Sequence, residues 1–138
     1  MNIRTMQRAD LDDATLAFIA AYGEGWTREQ AKSYLTKFFG FEPESCLVAE
    51  DEQKQIVGAV LGYSYPRQSD LVLFVQELFV RPDGRSKGVG RELVTKLRAK
   101  FTHPKINIKP LVKAPESVHS FYNHLGFERD QAFTFYDE

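Results

Sequence analysis

The sequence predicts one α/β (α+β) domain over residues 1–138, built on a mixed central sheet of six to seven strands with about four helices. Three observations carry this expectation. Segments of β character alternate with segments of helical periodicity, and no linker, repeat or low-complexity stretch interrupts them. In the first half, apolar runs follow one another across short polar connections, which favours antiparallel neighbours. In the second half a helix stands between strands, which favours a crossover and a parallel pair. Finally, 138 residues with 43% hydrophobic content are enough to bury one proper core.

Each element has a local reason. Asn2 to Thr5 forms a short first strand. Asp10 is a plausible N-cap for a helix whose apolar positions Leu11, Ala14, Phe18 and Ala21 run up to Gly23. Thr27-Arg28-Glu29-Gln30 reads as a capping box opening a second helix, with Ala31, Tyr34, Leu35 and Phe38 on one face and a stop near Gly40. Cys46 to Glu50 and Ile56 to Tyr63 form a strand pair joined by the polar segment Asp51 to Gln55. Leu71 to Arg81 is the long central strand. The helix after it carries Val89, Leu93, Val94, Leu97 and Phe101 as a core stripe. Lys105 to Lys113 gives another strand, and a helix from about Pro115 to Leu125 ends at Gly126, a residue suited to a C-terminal cap. Phe127 to Tyr136 supplies the last one or two strands.

Composition excludes several classes of function. A net charge of −1 gives no electrostatic case for a nucleic-acid partner. The single cysteine, Cys46, rules out an intrachain disulfide and fits a reducing compartment; beside Leu47-Val48-Ala49 it reads as a buried strand residue rather than a nucleophile. No apolar stretch reaches membrane-spanning length and no signal peptide opens the chain, so a cytoplasmic protein without a membrane partner is expected. No metal site is expected, and a homodimer is left open.

The chemistry concentrates after the central strand. Gly88 and Gly90 lie in the first turn of the following helix, with Arg85, Lys87 and Arg91 around them. A helix N-terminus presents free N–H groups and the positive end of a dipole, and glycine lets an anion approach the backbone. The expected ligand is therefore a pyrophosphate. The dinucleotide fingerprint needs a third glycine where Leu93 stands, and the P-loop needs Gly-Lys-Ser/Thr where Gly90-Arg91-Glu92 stands. Both nucleotide readings fail on residue type.

The spacing Arg85-x-x-Gly88-x-Gly90 instead resembles the acetyl-CoA signature of the GNAT superfamily of N-acetyltransferases. Leu78-Phe79-Val80-Arg81-Pro82 precedes it as that family's fourth strand does, and Phe121-Tyr122-x-x-x-Gly126-Phe127 is similar to its second signature. The order of elements matches over essentially the whole chain. The resemblance implies acetyl-CoA as co-substrate, held by Leu78, Phe79 and Val80 of the strand, by the loop residues Arg85, Ser86, Lys87, Gly88, Val89, Gly90 and Arg91, and by Tyr122. It implies a bulge that splays the fourth strand from the fifth and frees the amides of Leu78 and Val80 for the thioester oxygen. Pro110 in the fifth strand, which cannot donate to a ladder, suits a strand that has left its neighbour or an ordinary edge. One departure is Pro115, where many relatives carry an asparagine that helps hold the cofactor.

Acetyl transfer to an amine needs a base for the ammonium and an acid for the thiolate. By resemblance Tyr122 is the acid, with His119 on the same helix face as its rival. Gln76 and Glu77 are the only polar residues from Leu71 to Val80, and a carboxylate in a central strand is costly without a partner. Glu77 is therefore the candidate base or ammonium ligand; the alternative is a carboxylate that reaches solvent or pairs with an arginine. Tyr22, Glu24 and Trp26, between the first two helices, are the candidate acceptor residues, with Phe38, Phe39 and Phe41 as a further aromatic wall or simply helix packing. The expected activity is N-acetyl transfer to a primary amine of a small molecule or peptide by direct attack in a ternary complex. A non-catalytic acyl-CoA-binding domain on the same fold is the alternative.

Overall fold

The structure is a computed structural model of the protein and describes residues 1–23, 25–85, 87–101, 107–112 and 118–127. Strand β1 (Asn2–Thr5) leads through a 3-10 turn to helices α1 (Leu11–Tyr22) and α2 (Arg28–Phe41). Strands β2 (Cys46–Glu50), β3 (Ile56–Arg67) and β4 (Asp70–Val80) follow, then helix α3 (Val89–Lys100), strand β5 (Asn107–Val112) and helix α4 (His119–His124). The strands lie side by side in chain order; β1 through β4 pair antiparallel, and β5 pairs parallel to β4 after the α3 crossover. The α+β architecture and its four helices are as the sequence predicts. The described sheet has five strands, not six to seven. Phe127, where the sequence places the start of the next strand, is not in a strand: its N–H donates to the Tyr122 carbonyl at 3.0 Å and closes α4. The remainder of that expected segment, like Pro115, lies outside the described residues.

The sheet separates two cores. On one face Phe18 and Leu11 of α1 and Leu35, Ala31 and Phe39 of α2 pack on Cys46, Ala59, Leu61 and Phe79. On the other face Val89, Leu93 and Leu97 of α3 pack on Leu47, Val60, Leu73 and Val75. The α3 stripe is thus the one read from the sequence, with Phe101 partly buried at its end. Of the α2 aromatics the one that joins Ala31 and Leu35 in the core is Phe39, 5% exposed, while Tyr34 and Phe38 are only half-buried against it.

Two helix starts differ in how well they were legible. The α2 capping box is present: the Gln30 N–H donates to Thr27 Oγ1 at 3.1 Å and the Thr27 N–H donates to Gln30 Oε1 at 3.1 Å. Asp10 holds the N-cap position of α1 as expected, but its side chain makes no cap bond to that helix. Its backbone is already helical at φ −82°, ψ −14°, within the turn Arg8–Asp10. Its carboxylate accepts the Gln7 N–H at 2.7 Å and two bonds from the Arg4 guanidinium, at 2.8 and 2.9 Å. Its oxygens go to the preceding turn and to a bidentate cation instead of to the amides of α1. Strand β3 also outruns its expected end at Tyr63, pairing with β4 to Arg67, because the hairpin turns at Gln68, which has φ 56°.

Candidate active site

Strand β4 changes character halfway along. Asp70 to Val75 pair with both β3 and β5, the last parallel partners being Val75 and Val112. On the β3 side the register shifts there: Leu61 faces Glu77 but Gly62 faces Val75, so Gln76 is an extra, bulged residue. Beyond the bulge the strand's two edges can be assigned. A Cβ on Gly58 of β3 would stand 2.8 Å from the Phe79 carbonyl oxygen, and the Arg81 N–H donates to the Val57 carbonyl at 2.8 Å. Phe79 and Arg81 therefore face β3, and by alternation Leu78 and Val80 direct their backbone groups to the other edge. Among the described residues no strand pairs with that edge from Gln76 to Val80. Pro110 does not mark this splay: it lies opposite Leu73, inside the paired segment of the outermost described strand.

A cavity of about 700 Å³ opens at the splay. Leu78, Phe79 and Val80 form one wall, the start of α3 another, and Phe121, His124 and Leu125 of the α4 region a third. Gly88 is the N-cap of α3 in the left-handed region, φ 78°, which an L side chain adopts only with strain. A Cβ on Gly90 would lie 3.4 Å from the Phe121 ring, so this glycine lets α4 close over the helix start. The Gly88, Gly90 and Arg91 surfaces all line the cavity, and Val89 turns inward to the core at 4% exposure. Arg91 is exposed, as is Lys87, which precedes Gly88 in the chain. Arg85 also lines the cavity, but its guanidinium is engaged with backbone: Nη2 donates to the Ala21 carbonyl at 2.9 Å and Nε to the Val80 carbonyl at 3.2 Å. It fastens the C-terminal end of α1 to the end of β4. Ser86 lies outside the described residues.

Glu77, on the α1/α2 face of the splay, is the best-defined reactive group. Its carboxylate accepts the Tyr22 hydroxyl at 2.9 Å on one oxygen and the Tyr34 hydroxyl at 3.1 Å on the other, while Gln76 Nε2 donates to the Tyr34 oxygen at 3.1 Å. No arginine pairs with it among the described ion pairs. Burial pushes its pKa above the ordinary carboxylate value, and the two phenols pull it back only in part. Both phenols respond in kind: desolvation, then the Glu77 charge, raises Tyr22, and desolvation leads the rise at Tyr34. Tyr34 is the site residue that sequence reasoning assigned to packing. Its periodicity with Ala31 and Leu35 concealed it; the remaining signal was a phenol hydroxyl on a buried stripe, which needs a partner.

The other expected residues divide. Tyr22, 48% exposed, reaches Glu77 and lines the cavity. Trp26 packs on Phe18 at 5.0 Å and Tyr34 at 5.2 Å between ring centroids, so it supports Tyr34 from behind. Glu24 lies outside the described residues. Tyr122 is half-buried between the Phe121 and Phe127 rings, and burial followed by the Glu77 charge pushes its hydroxyl up to about 12. Phe121 of the same motif, rather than Tyr122, forms the cavity wall. His119 is half-buried on α4. Among the described residues no cluster of His, Cys, Asp and Glu could hold a metal, and no helix is long and apolar enough to cross a membrane.

Residues 42–129 match the family model of the acetyltransferase (GNAT) domain, which covers more than half of the chain. The protein belongs to the GNAT acetyltransferase family. Among proteins of curated function none matches the chain by sequence. Solved structures share its fold. One from Pyrococcus horikoshii, described as a presumed acetyltransferase, superposes with a TM-score of 0.78 at 22% identity over 94% of this chain. This chain spans only 43% of that archaeal protein. An aminoglycoside N-acetyltransferase in complex with CoA gives 0.78 at 17% identity, covering 99% of this chain and 93% of its own. An aminoglycoside 6'-N-acetyltransferase from Acinetobacter haemolyticus gives 0.71 at 17% identity, covering 100% and 98%.

Proposed function

We propose that the protein is an N-acetyltransferase that moves an acetyl group from acetyl-CoA to a primary amine of a small molecule or peptide, by direct attack in a ternary complex. The observation that carries this reading is the unpaired edge of β4 at Leu78 and Val80 opening on one cavity with the α3 N-terminus and adjoining Glu77. The residues suit the donor. Amides of the first turn of α3, with Lys87 and Arg91 beside them, offer an anion site for its diphosphate. Acetyl-CoA supplies the acetyl group as a thioester. Glu77 takes a proton from the acceptor ammonium, directly or through a water, so that the neutral nitrogen attacks the carbonyl carbon. The amides of Leu78 and Val80 stabilise negative charge on the carbonyl oxygen. As the carbon–nitrogen bond forms and the carbon–sulfur bond breaks, Tyr122 gives its proton to the thiolate and recovers one from solvent. The aminoglycoside acetyltransferases that share the fold support an amine as acceptor.

The test is thiol release from acetyl-CoA with a panel of amines, alongside calorimetric binding. Gly90→Val fills space beside Phe121 and should weaken acetyl-CoA at least about tenfold, about 1.4 kcal/mol; unchanged affinity in the folded variant would remove the loop from the site. A second reading, an acyl-CoA-binding domain without catalysis, is favoured by the two phenols that already occupy both Glu77 oxygens. Tight acetyl-CoA binding with no thiol release for any amine would select it.

A further inference from the structure

From Glu77 a continuous line of aromatic rings runs away from the cofactor cavity. Tyr34, bonded to Glu77, meets Phe38 at 5.1 Å between centroids; Phe38 meets Phe41 at 5.9 Å; Phe41 meets Tyr63 at 5.5 Å; and Tyr63 meets Phe74 at 5.3 Å and Tyr65 at 6.3 Å. These residues come from the middle and C-terminal end of α2 and from the outer half of the β3–β4 hairpin; Tyr34, at the site end, also packs on Phe18 of α1 at 5.9 Å, and the strip leads away from that contact. Five of the six are half-buried, and Phe41 is 64% exposed. A buried core does not leave its rings in this state, and neighbouring Phe39 shows the contrast at 5% exposure. The strip's neighbouring carboxylate, Glu42, is engaged: both its oxygens accept the Ser64 hydroxyl, at 2.9 and 3.0 Å, and one also receives the Ser45 hydroxyl. Glu77 is thus the carboxylate at the site end, and the rest of the track is uncharged π surface.

We infer that the acceptor is a mono-amine bearing an aromatic ring, its ammonium end at Glu77 and its ring laid on the Tyr34–Phe38–Phe41–Tyr63 strip. The inference rests on the proposed amine acetylation and narrows its substrate. A flat apolar body fits because ring–ring contacts need no further charge, and offset or edge-on contacts add to the burial of area. Along the strip itself an acceptor's far end meets rings, and the Glu42 carboxylate beside it is turned to the Ser45 and Ser64 hydroxyls. An anionic acceptor would meet the Glu77 charge.

The experiment is calorimetric binding in the presence of CoA, with 3-phenylpropylamine, propylamine and spermidine as probes. The first two differ only by the ring. The ring-bearing amine should bind at least about tenfold tighter than propylamine and tighter than spermidine. Phe41→Ala removes an exposed ring and should leave the circular-dichroism spectrum unchanged; it should cut the preference to about threefold or less. Phe38→Leu, which keeps apolar volume, should cut it in the same direction. Equal affinity for the two amines, preference for spermidine, or a preference untouched by Phe41→Ala would overturn the inference. So would a wild-type dimer in sedimentation that Phe41→Ala dissociates, since the strip would then be covered by a second copy. Ring-selective binding without thiol release would sustain the strip and sink the acetyl-transfer reading.

Discussion

Two carboxylates in this molecule, Glu77 the more deeply buried, behave in opposite ways. Asp10 is bound by the Arg4 guanidinium, which also reaches Glu50 at 3.3 Å, and this cation holds its pKa below the ordinary range. Glu77 is bound by two phenols and, among the described residues, by no cation, and burial prevails, so its pKa rises. A cation matches the charged form and locks it; a neutral hydroxyl orients the carboxylate but leaves its proton affinity high. The first arrangement holds β1 to the start of α1. The second leaves a carboxylate held by hydroxyls with its proton affinity raised, beside the stretch of β4 that no described strand pairs on its outer edge.

The sharpest way to break the comparison is Glu77→Gln, which keeps shape and removes the base. kcat/KM should fall roughly 10²–10⁴-fold, and turnover like wild type would assign proton removal to water. Tyr122→Phe comes next: kcat should fall about 10²-fold with acetyl-CoA affinity little changed. Because burial lifts this phenol to about 12, wild-type kcat should show no Tyr122 limb through the ordinary alkaline range. A limb well below that value that disappears in Tyr122→Phe would mean that the phenol is not so raised. Tyr22→Phe and Tyr34→Phe each remove a hydroxyl that pulls the Glu77 pKa down. The acid limb of kcat/KM should move to higher pH in both, by up to about one unit; an unmoved limb would exclude Glu77 as the group it reports.

The smallest effect is in stability. Arg4→Met should cost about 1 kcal/mol at neutral pH, a value kept low by solvent screening of a guanidinium that is one-third exposed. The two carboxylates also oppose each other in pH dependence. Asp10 has a depressed folded pKa, so its contribution is present above its unfolded value near 3.8 and is lost as pH falls through the folded value. Glu77 has a raised one, so its contribution is full below 4.5 and is lost as pH rises through the folded value. Urea titrations across pH should therefore show a flatter acid side in Arg4→Met and a flatter side above pH 4.5 in Glu77→Gln.

What could be read from the sequence follows this division. The α3 stripe, the Thr27 capping box and the glycine-started helix are local, set by neighbours a turn away, and their periodicity shows them. Glu77 was visible for a different reason, as a charge in an apolar run. The Tyr22–Glu77–Tyr34 cluster was not, because it joins residues 55 and 43 positions apart and tertiary contacts of that span leave no periodic trace. The backbone contacts of Arg85 were hidden in the same way. Its position beside the glycines implies a phosphate ligand, whereas its guanidinium bonds to carbonyls of Ala21 and Val80. Asp10 had the residue type of a cap, but Arg4, six positions earlier, claimed its carboxylate. Residue type locates candidates; competition among partners across the fold decides between them.

The single cysteine has a use at the bench. Cys46 is fully enclosed between β1 and β3, and desolvation raises its thiol to about 11. At neutral pH it is protonated and shielded, so a disulfide reagent that counts CoA liberated during turnover should register nothing from the folded protein. The same reagent becomes a folding probe when no acetyl donor is added: one equivalent of colour per chain should appear only as the sheet opens, and its rate reports how often β2 comes away from its neighbours.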